Sequence, residues 1–326
     1  MCCLIGKLTS AVKKQVQRLP LALFFPIYRV WYWIYNDSGA NHLRRQLGIP
    51  YLSVLDLLQV KSSDTVFVLG SGRSINNITA QRWEVIKAHD TIALNNWLVH
   101  PFVPKFYCFD SAARHPGDEV PYEFLLNNMR RRTADYRQTI KIISNLKRCS
   151  CRQIAQDLPD GWATNLHFAE TPAVVARTVQ EFTAMVHYYK ARGLFTQTNR
   201  IRNLFKYNSI LSTCLSLAVR LGYRRIVLCG VDLRSFDYFY HDPQRFPETA
   251  SVSLRPRKEK HDTVVAKPWL VPIDDMLIVI RDEVLKPAGI ELFVECTDSL
   301  LYPRIPSPPE SMWELGTAGV REPRCT

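Results

Sequence analysis

No stretch of this 326-residue sequence reaches the roughly 18 uninterrupted apolar residues that a confident membrane-crossing helix needs. Cysteine is sparse: nine in so long a chain, an odd number, do not make a disulfide scaffold. Cys108, Cys229 and Cys296 fall in apolar, strand-like runs, where a free thiol packs as a small hydrophobe, so a reducing, cytoplasmic compartment is expected. Cys149-Ser150-Cys151 lacks both the CxxC spacing and a second half-site, so it is not a zinc pair, and no metal is expected elsewhere. A dinucleotide fingerprint is missing as well. Gly70 and Gly72 would need a third glycine at 75, which is Ile, and an acidic residue ending the next strand, which ends in Asn95-Asn96. No Gly-Lys-Ser/Thr follows, which argues against a P-loop. NAD dehydrogenases, P-loop kinases and the usual methyltransferases all lose ground.

What is present suffices for a packed core. The chain is 47% hydrophobic and only 22% charged, which is a globular rather than a disordered composition. Its 42 Lys and Arg against 30 Asp and Glu leave a net charge of +12, suited to a phosphorylated, nucleic or membranous partner. No nucleic-acid module or aromatic-basic strand is visible, so nucleic acid is not the expected partner. Arg130-Arg131-Arg132 reads as a solvated helix face or a contact for an acidic acceptor.

Three parts can be distinguished. Residues 1–60 form an arm in which Lys7, Lys13, Lys14 and Arg18 precede the apolar-aromatic run Leu19 to Tyr35. Pro26 and Arg29 interrupt that run, so it reads either as an interfacial segment at the membrane surface or as a helix packed on the domain. Residues 61–301 alternate strands and helices. Thr65–Leu69, Thr91–Leu94, Phe106–Phe109, Ile140–Ser144, Asn165–Phe168, Arg225–Cys229 and Ile290–Val294 have the short apolar runs of strands buried on both faces. Ala80–Lys87, Val174–Tyr189, Ser209–Leu221 and Ile273–Leu285 have helical length and spacing. The expectation is α/β: one Rossmann-like, doubly wound, mostly parallel sheet. Residues 302–326 are proline-rich and read as a disordered end or a loosely draped strap.

Ligands in such a sheet sit outside the carboxyl ends of the strands. Those ends supply Gly70, Ser71, Gly72 and Ser74 after the first strand, Asn95 after the second, Asp110 after the third and Asp232 after RIVLC. Each could equally cap a neighbouring helix. Lys206 with Asn208 and Ser209 stands ahead of an apolar helix whose N-terminal N–H groups suit a phosphate. The loop GVDLRSFDYFYHDP adds Arg234, Tyr238, Tyr240 and His241, donors able to meet charge on a leaving phosphate. Arg255 to Lys260, leading to His261, reads as a lid.

VFVLGSGRSI, ALNNW, FYCFD, NSILSTCLSLAVRLGYRRIVLCGVDL, HDT and GIELFVECTDSLL together resemble the bacterial sialyltransferases of glycosyltransferase family 42, in colinear order over roughly Thr65 to Leu301. The DUF115 proteins, which include motility accessory factors and archaeal hydroxymethylpterin diphosphokinases, look alike around the first glycines. The resemblance implies a single domain with a lid and a metal-independent, inverting transfer from a CMP-activated sugar to a glycan or glycolipid hydroxyl. No cofactor is then expected, and the donor is a substrate. Gly70, Ser71, Gly72, Ser74, Asn95 and Asp110 would lie along the donor nucleotide, although the family has asparagine where Asp110 stands. Asn208 and Ser209 match a Thr-Ser pair, and Lys206 replaces an arginine. Tyr240 matches one of two phosphate-binding tyrosines and Arg234 replaces the other. His261 would be the base. The alternatives are a DUF115-type activity, diphosphate transfer included, with Asp110 and Asp232 on Mg²⁺, or a membrane-associated protein that binds nucleotide sugars without catalysis. A homo-oligomer is compatible with any of these.

Overall fold

The apolar runs become strands that all lie parallel. The computed structural model describes residues 19–34, 38–111, 119–146, 152–197, 202–235, 237–249, 261, 263–265, 267 and 270–314. Three helices come first, α1 (Leu21–Tyr32), α2 (Ser38–Gln46) and α3 (Val54–Val60). The alternation then runs β1 (Thr65–Leu69), α4 (Ala80–Lys87), β2 (Asp90–Leu94), β3 (Phe106–Asp110), α5 (Glu119–Arg132), β4 (Ile140–Ser144) and β5 (Leu166–Phe168). It continues with α6 (Val179–Lys190), α7 (Ile210–Arg220), β6 (Arg225–Cys229), α8 (Ile273–Ile280) and β7 (Glu291–Val294).

The strands form one sheet in the order β5-β4-β3-β2-β1-β6-β7. The chain steps outward from β1 to β5, then returns to place β6 on the free side of β1, with Leu69 paired to Cys229. The order therefore reverses between β1 and β6, and a doubly wound sheet opens a crevice at that point. Strand residues alternate between two cores. Val66, Val68, Ile92, Leu94, Cys108, Ile226 and Leu228 pack against α1, α3, α6, α7 and α8. Phe67, Leu69, Ala93, Tyr107, Phe109, Val227 and Cys229 pack against α2, α4 and α5. The expected Rossmann-like fold is the observed one.

Polar locks hold the amino ends of the strands. The buried Asp90 carboxylate accepts from Ser62 N–H and Oγ at 2.9 and 2.6 Å, Lys105 Nζ at 2.6 Å and Tyr223 Oη at 2.8 Å. Burial alone would raise its pKa, but these donors outweigh burial and hold the carboxyl below its ordinary range.

Several boundaries differ from the sequence expectation. α6 starts at Val179, where Thr178 accepts from the Glu181 N–H as N-cap, and not at Val174. α8 stops at Ile280 and continues as a π-helical turn, Arg281–Leu285. The described parts of the arm and the tail pack on the domain. α1 runs through Pro26 unbroken and buries Phe24 and Phe25 in the core, each contributing about 2 kcal/mol of apolar burial. The expectation of a disordered or loosely draped tail is corrected as far as Glu314. Ile305 and Trp313 are buried, and Val294 N–H donates to the Pro306 carbonyl at 3.0 Å. Arg82 covers the Trp313 ring and pairs with Glu295 and Glu310, which pins the strap. Arg132 also serves the fold, donating to the carbonyls of Leu98, His100 and Pro101.

Lys141 on β4 is buried, its Nζ donating to the carbonyls of Tyr136 at 2.7 Å and Thr139 at 3.0 Å. Burial lowers its pKa from 10.5 to about 8. Between those values the unfolded chain binds more protons than the folded one, so this group's contribution to stability rises with pH. Denaturant melts of the wild type and Lys141→Met should show the wild type gaining about 2 kcal/mol on the variant between about pH 7.5 and 10. A pH-independent difference would contradict the burial argument.

Candidate active site at the strand switch point

The two turns that leave β1 and β6 occupy one space. A Cβ on Gly70 would lie 2.4 Å from the Gly230 carbonyl oxygen, and one on Gly230 would lie 2.5 Å from Ile75 Cγ1. Gly230 also takes φ +65°, a left-handed conformation that side chains disfavour. Gly70 N–H donates to the Cys229 carbonyl at 2.7 Å and Gly72 N–H to the Gly230 carbonyl at 2.8 Å. Asp232 accepts from the Ser74 N–H at 2.9 Å and from its hydroxyl, and a Cβ on Gly72 would meet that carboxylate at 2.5 Å. The glycines therefore allow turn-to-turn packing, and the N–H groups of Gly70, Gly72 and Ser74 are spent inside the protein. The segment after the turn is a 3₁₀ helix, Arg73–Asn77. Ser71 is different: its Oγ is buried and has no hydrogen-bond partner among the described residues.

The carboxyl ends of β2 and β3 form the next part of the rim. Asn95 holds φ +52°, its carbonyl accepts from Tyr107 Oη at 2.5 Å, and its side chain is exposed. Asp110 is ion-paired with Lys206, 96 residues along the chain, and also accepts from Ser144 Oγ at 2.7 Å. Asp110 and Lys206, two of the three positions where the sequence departs from the family it resembles, are thus partners, and their charges cancel. Asn208, at φ +60°, turns the chain into α7 and donates to the carbonyls of Thr263 at 3.2 Å and Val271 at 3.0 Å. Ser209 is the N-cap, accepting from Leu211 N–H at 3.2 Å.

The segment after β6 closes the far side. Phe239 N–H donates to the Ser71 carbonyl at 3.0 Å, and Tyr238 bridges to Gly72, so the aromatic loop is sewn to the glycine turn. Tyr238 stacks on Tyr240 with ring centroids 5.2 Å apart. Tyr240 is buried and its hydroxyl accepts from Asn96 Nδ2 at 3.2 Å. The outer phenol is Tyr238, whose Oη lies 3.4 Å from His261 Nε2. The other side of that imidazole, Nδ1, lies 2.7 Å from Thr263 Oγ1 and 3.4 Å from Thr263 N. Contacts therefore run in a chain: Gly72 to Tyr238, Tyr238 to His261, His261 to Thr263 and Thr263 to Asn208, with Lys206 of the Lys206–Asp110 pair close to Asn208 in sequence.

Most residues singled out in the sequence meet here, in altered roles. Arg234 does not stand beside Tyr240: it is exposed, and its Nε donates to the Asp298 carbonyl beyond β7. Asp110 and Asp232 are engaged separately, by Lys206 and by Ser74. Among the described residues no three His, Cys, Asp or Glu side chains come together as metal ligands. The expected lid, Arg255 to Lys260, lies outside the described residues. The sequence places Tyr238 among the phosphate donors of its loop but singles out neither Asn96 nor Thr263. Thr263 had a signal, the His-x-Thr spacing, that gains meaning only once the imidazole is oriented.

No family model and no curated protein matches the chain. The case for its chemistry rests on the mouth itself. Because that mouth depends on two turns sharing one space, Gly70→Ala should cost at least about 2 kcal/mol in a denaturant melt. A variant as stable as the wild type would show that the turns can part without loss.

Proposed function

We propose that this chain is a glycosyltransferase of the sialyltransferase-like kind, moving a sugar from a CMP-activated donor to a glycan or glycolipid hydroxyl. The observation that carries the reading is the meeting of Tyr238 and His261 on the loop that is sewn to the glycine turn at the switch point. A base and a phenol in contact are what a displacement at an anomeric carbon asks of its protein.

In this reading the nucleotide lies along the carboxyl ends of β1 to β3, with Ser71 and the exposed Asn95 amide hydrogen-bonding its base or ribose. Thr263 orients the ring: its N–H donates to Nδ1 in the resting site, and the base form has the proton moved to Nδ1 with the Thr263 hydroxyl accepting it, which turns the Nε2 lone pair of His261 to the acceptor. The acceptor hydroxyl attacks the anomeric carbon, its proton passes to Nε2, and the bond to phosphate breaks with its electron pair leaving on CMP. Tyr238 donates to the departing phosphate, in the role the resemblance gave to Arg234. Lys206, held at the rim by its pair with Asp110, offers an ammonium donor close to the α7 N-terminus without adding net charge. Tyr240 supports Tyr238 from below.

The test combines calorimetry with turnover. CMP should bind in the presence of EDTA more tightly than UDP or GDP, and CMP-sialic acid with a panel of glycans should release CMP. His261→Ala should lower turnover by about a hundredfold or more while leaving CMP binding in place. Full turnover in His261→Ala would remove the base assignment, and absence of any nucleotide binding would remove the transferase reading.

A further inference from the structure

The face of α1 that does not pack on the domain is apolar along its length. Leu23, Ile27, Val30 and Ile34 recur at helical spacing and are 59%, 51%, 60% and 43% exposed, flanked by Trp31 at 44% and Trp33 at 62%. The helix is not free to turn this stripe inward. Phe24 and Phe25 are buried on its other side, Arg29 Nη1 donates to Tyr188 Oη at 2.8 Å, and Tyr32 Oη is 2.9 Å from Thr171 Oγ1. Large apolar side chains held outward in one line signal a surface that something covers.

We infer that this stripe seats the protein on an anionic lipid bilayer, with α1 lying flat in the interface. Charge selects the occupant. Residues 1–55 carry seven Lys and Arg and a single acid, Asp37, and so hold six of the twelve net positive charges. Basic segments beside an apolar helix face bind anionic headgroups. Length selects the mode. Twelve residues of helix span about 18 Å, short of the roughly 30 Å hydrocarbon core, and no described helix is long and apolar enough to cross it. Trp31 and Trp33 have the amphipathic rings that settle at headgroup depth. A second copy of the chain suits the stripe poorly. One helix face offers far less than the roughly 800 Å² per partner of a stable interface, and it would bring two strongly basic arms together.

The experiment is sedimentation of the full chain with phosphatidylcholine vesicles, with and without phosphatidylglycerol. Binding should require phosphatidylglycerol, fall with added salt and shift tryptophan emission to the blue. Leu23→Ser/Ile27→Ser/Val30→Ser alters exposed positions only, so its thermal melt should match the wild type while partitioning drops at least about tenfold. If that variant fails to fold, Trp33→Ser with the same readout takes its place. Absence of vesicle binding, or equal binding by wild type and folded variant, would overturn the inference. So would a dimer in light scattering that the substitutions dissolve, since the stripe would then join two copies.

Discussion

The crossing of the β1 and β6 turns is the constraint on which the crevice depends. Gly70 and Gly230 approach so closely that neither position tolerates a Cβ, and Gly230 adds a left-handed backbone. Once the turns cross, Asp232 reaches the N–H and hydroxyl of Ser74, and the chain beyond Asp232 runs back across the glycine turn as Tyr238 bridges to Gly72. That return delivers the stacked tyrosines to the mouth. At the opposite end of the strands, Asp90 gathers donors from the segments entering β1, β3 and β6. Polar closure at the amino ends and glycine packing at the carboxyl ends leave the switch point as the place where side chains face a crevice.

The fold was legible because buried parallel strands are written as short apolar runs, and TVFVL, FYCFD, IKIIS and RIVLC needed no long-range information. Helix ends were less legible where a cap decides them, as Thr178 does for α6. The site was legible as a set of residues and not as a set of roles. The Asp110–Lys206 pair joins positions far apart in sequence, so each looked like an isolated departure until the sheet brought them together. The glycine turn was legible as a place of close approach, but the pattern of Gly70 and Gly72 does not reveal where their N–H groups point, and those groups are consumed by β6 and its loop. Tyr238 and Arg234 sit four residues apart in one loop, and only the turn geometry shows which of them meets His261.

The arm illustrates a limit of reading periodicity alone. Its run of aromatics suggested either a buried helix or an interfacial one, and α1 has both a buried face and an exposed apolar one. Phe24 and Phe25 face the core while Leu23, Ile27 and Val30 face out. The face that holds the helix to the domain also fixes which residues remain exposed. On the proposed reading, a donor site and an apolar stripe on one α/β body would bring acceptors presented at a lipid surface to the site, a geometry suited to glycolipid substrates.

The account's central claim is that the nucleotide lies across the carboxyl ends of β1 to β3, framed by the loop after β6. Amide hydrogen exchange with and without CMP measures this directly. The account predicts slowed exchange confined to the segments 71–76, 95–97, 206–212 and 237–241, with the amino-end segment around Asp90 unchanged. Protection that appears elsewhere, or exchange that CMP leaves unaltered throughout these four segments, would contradict it.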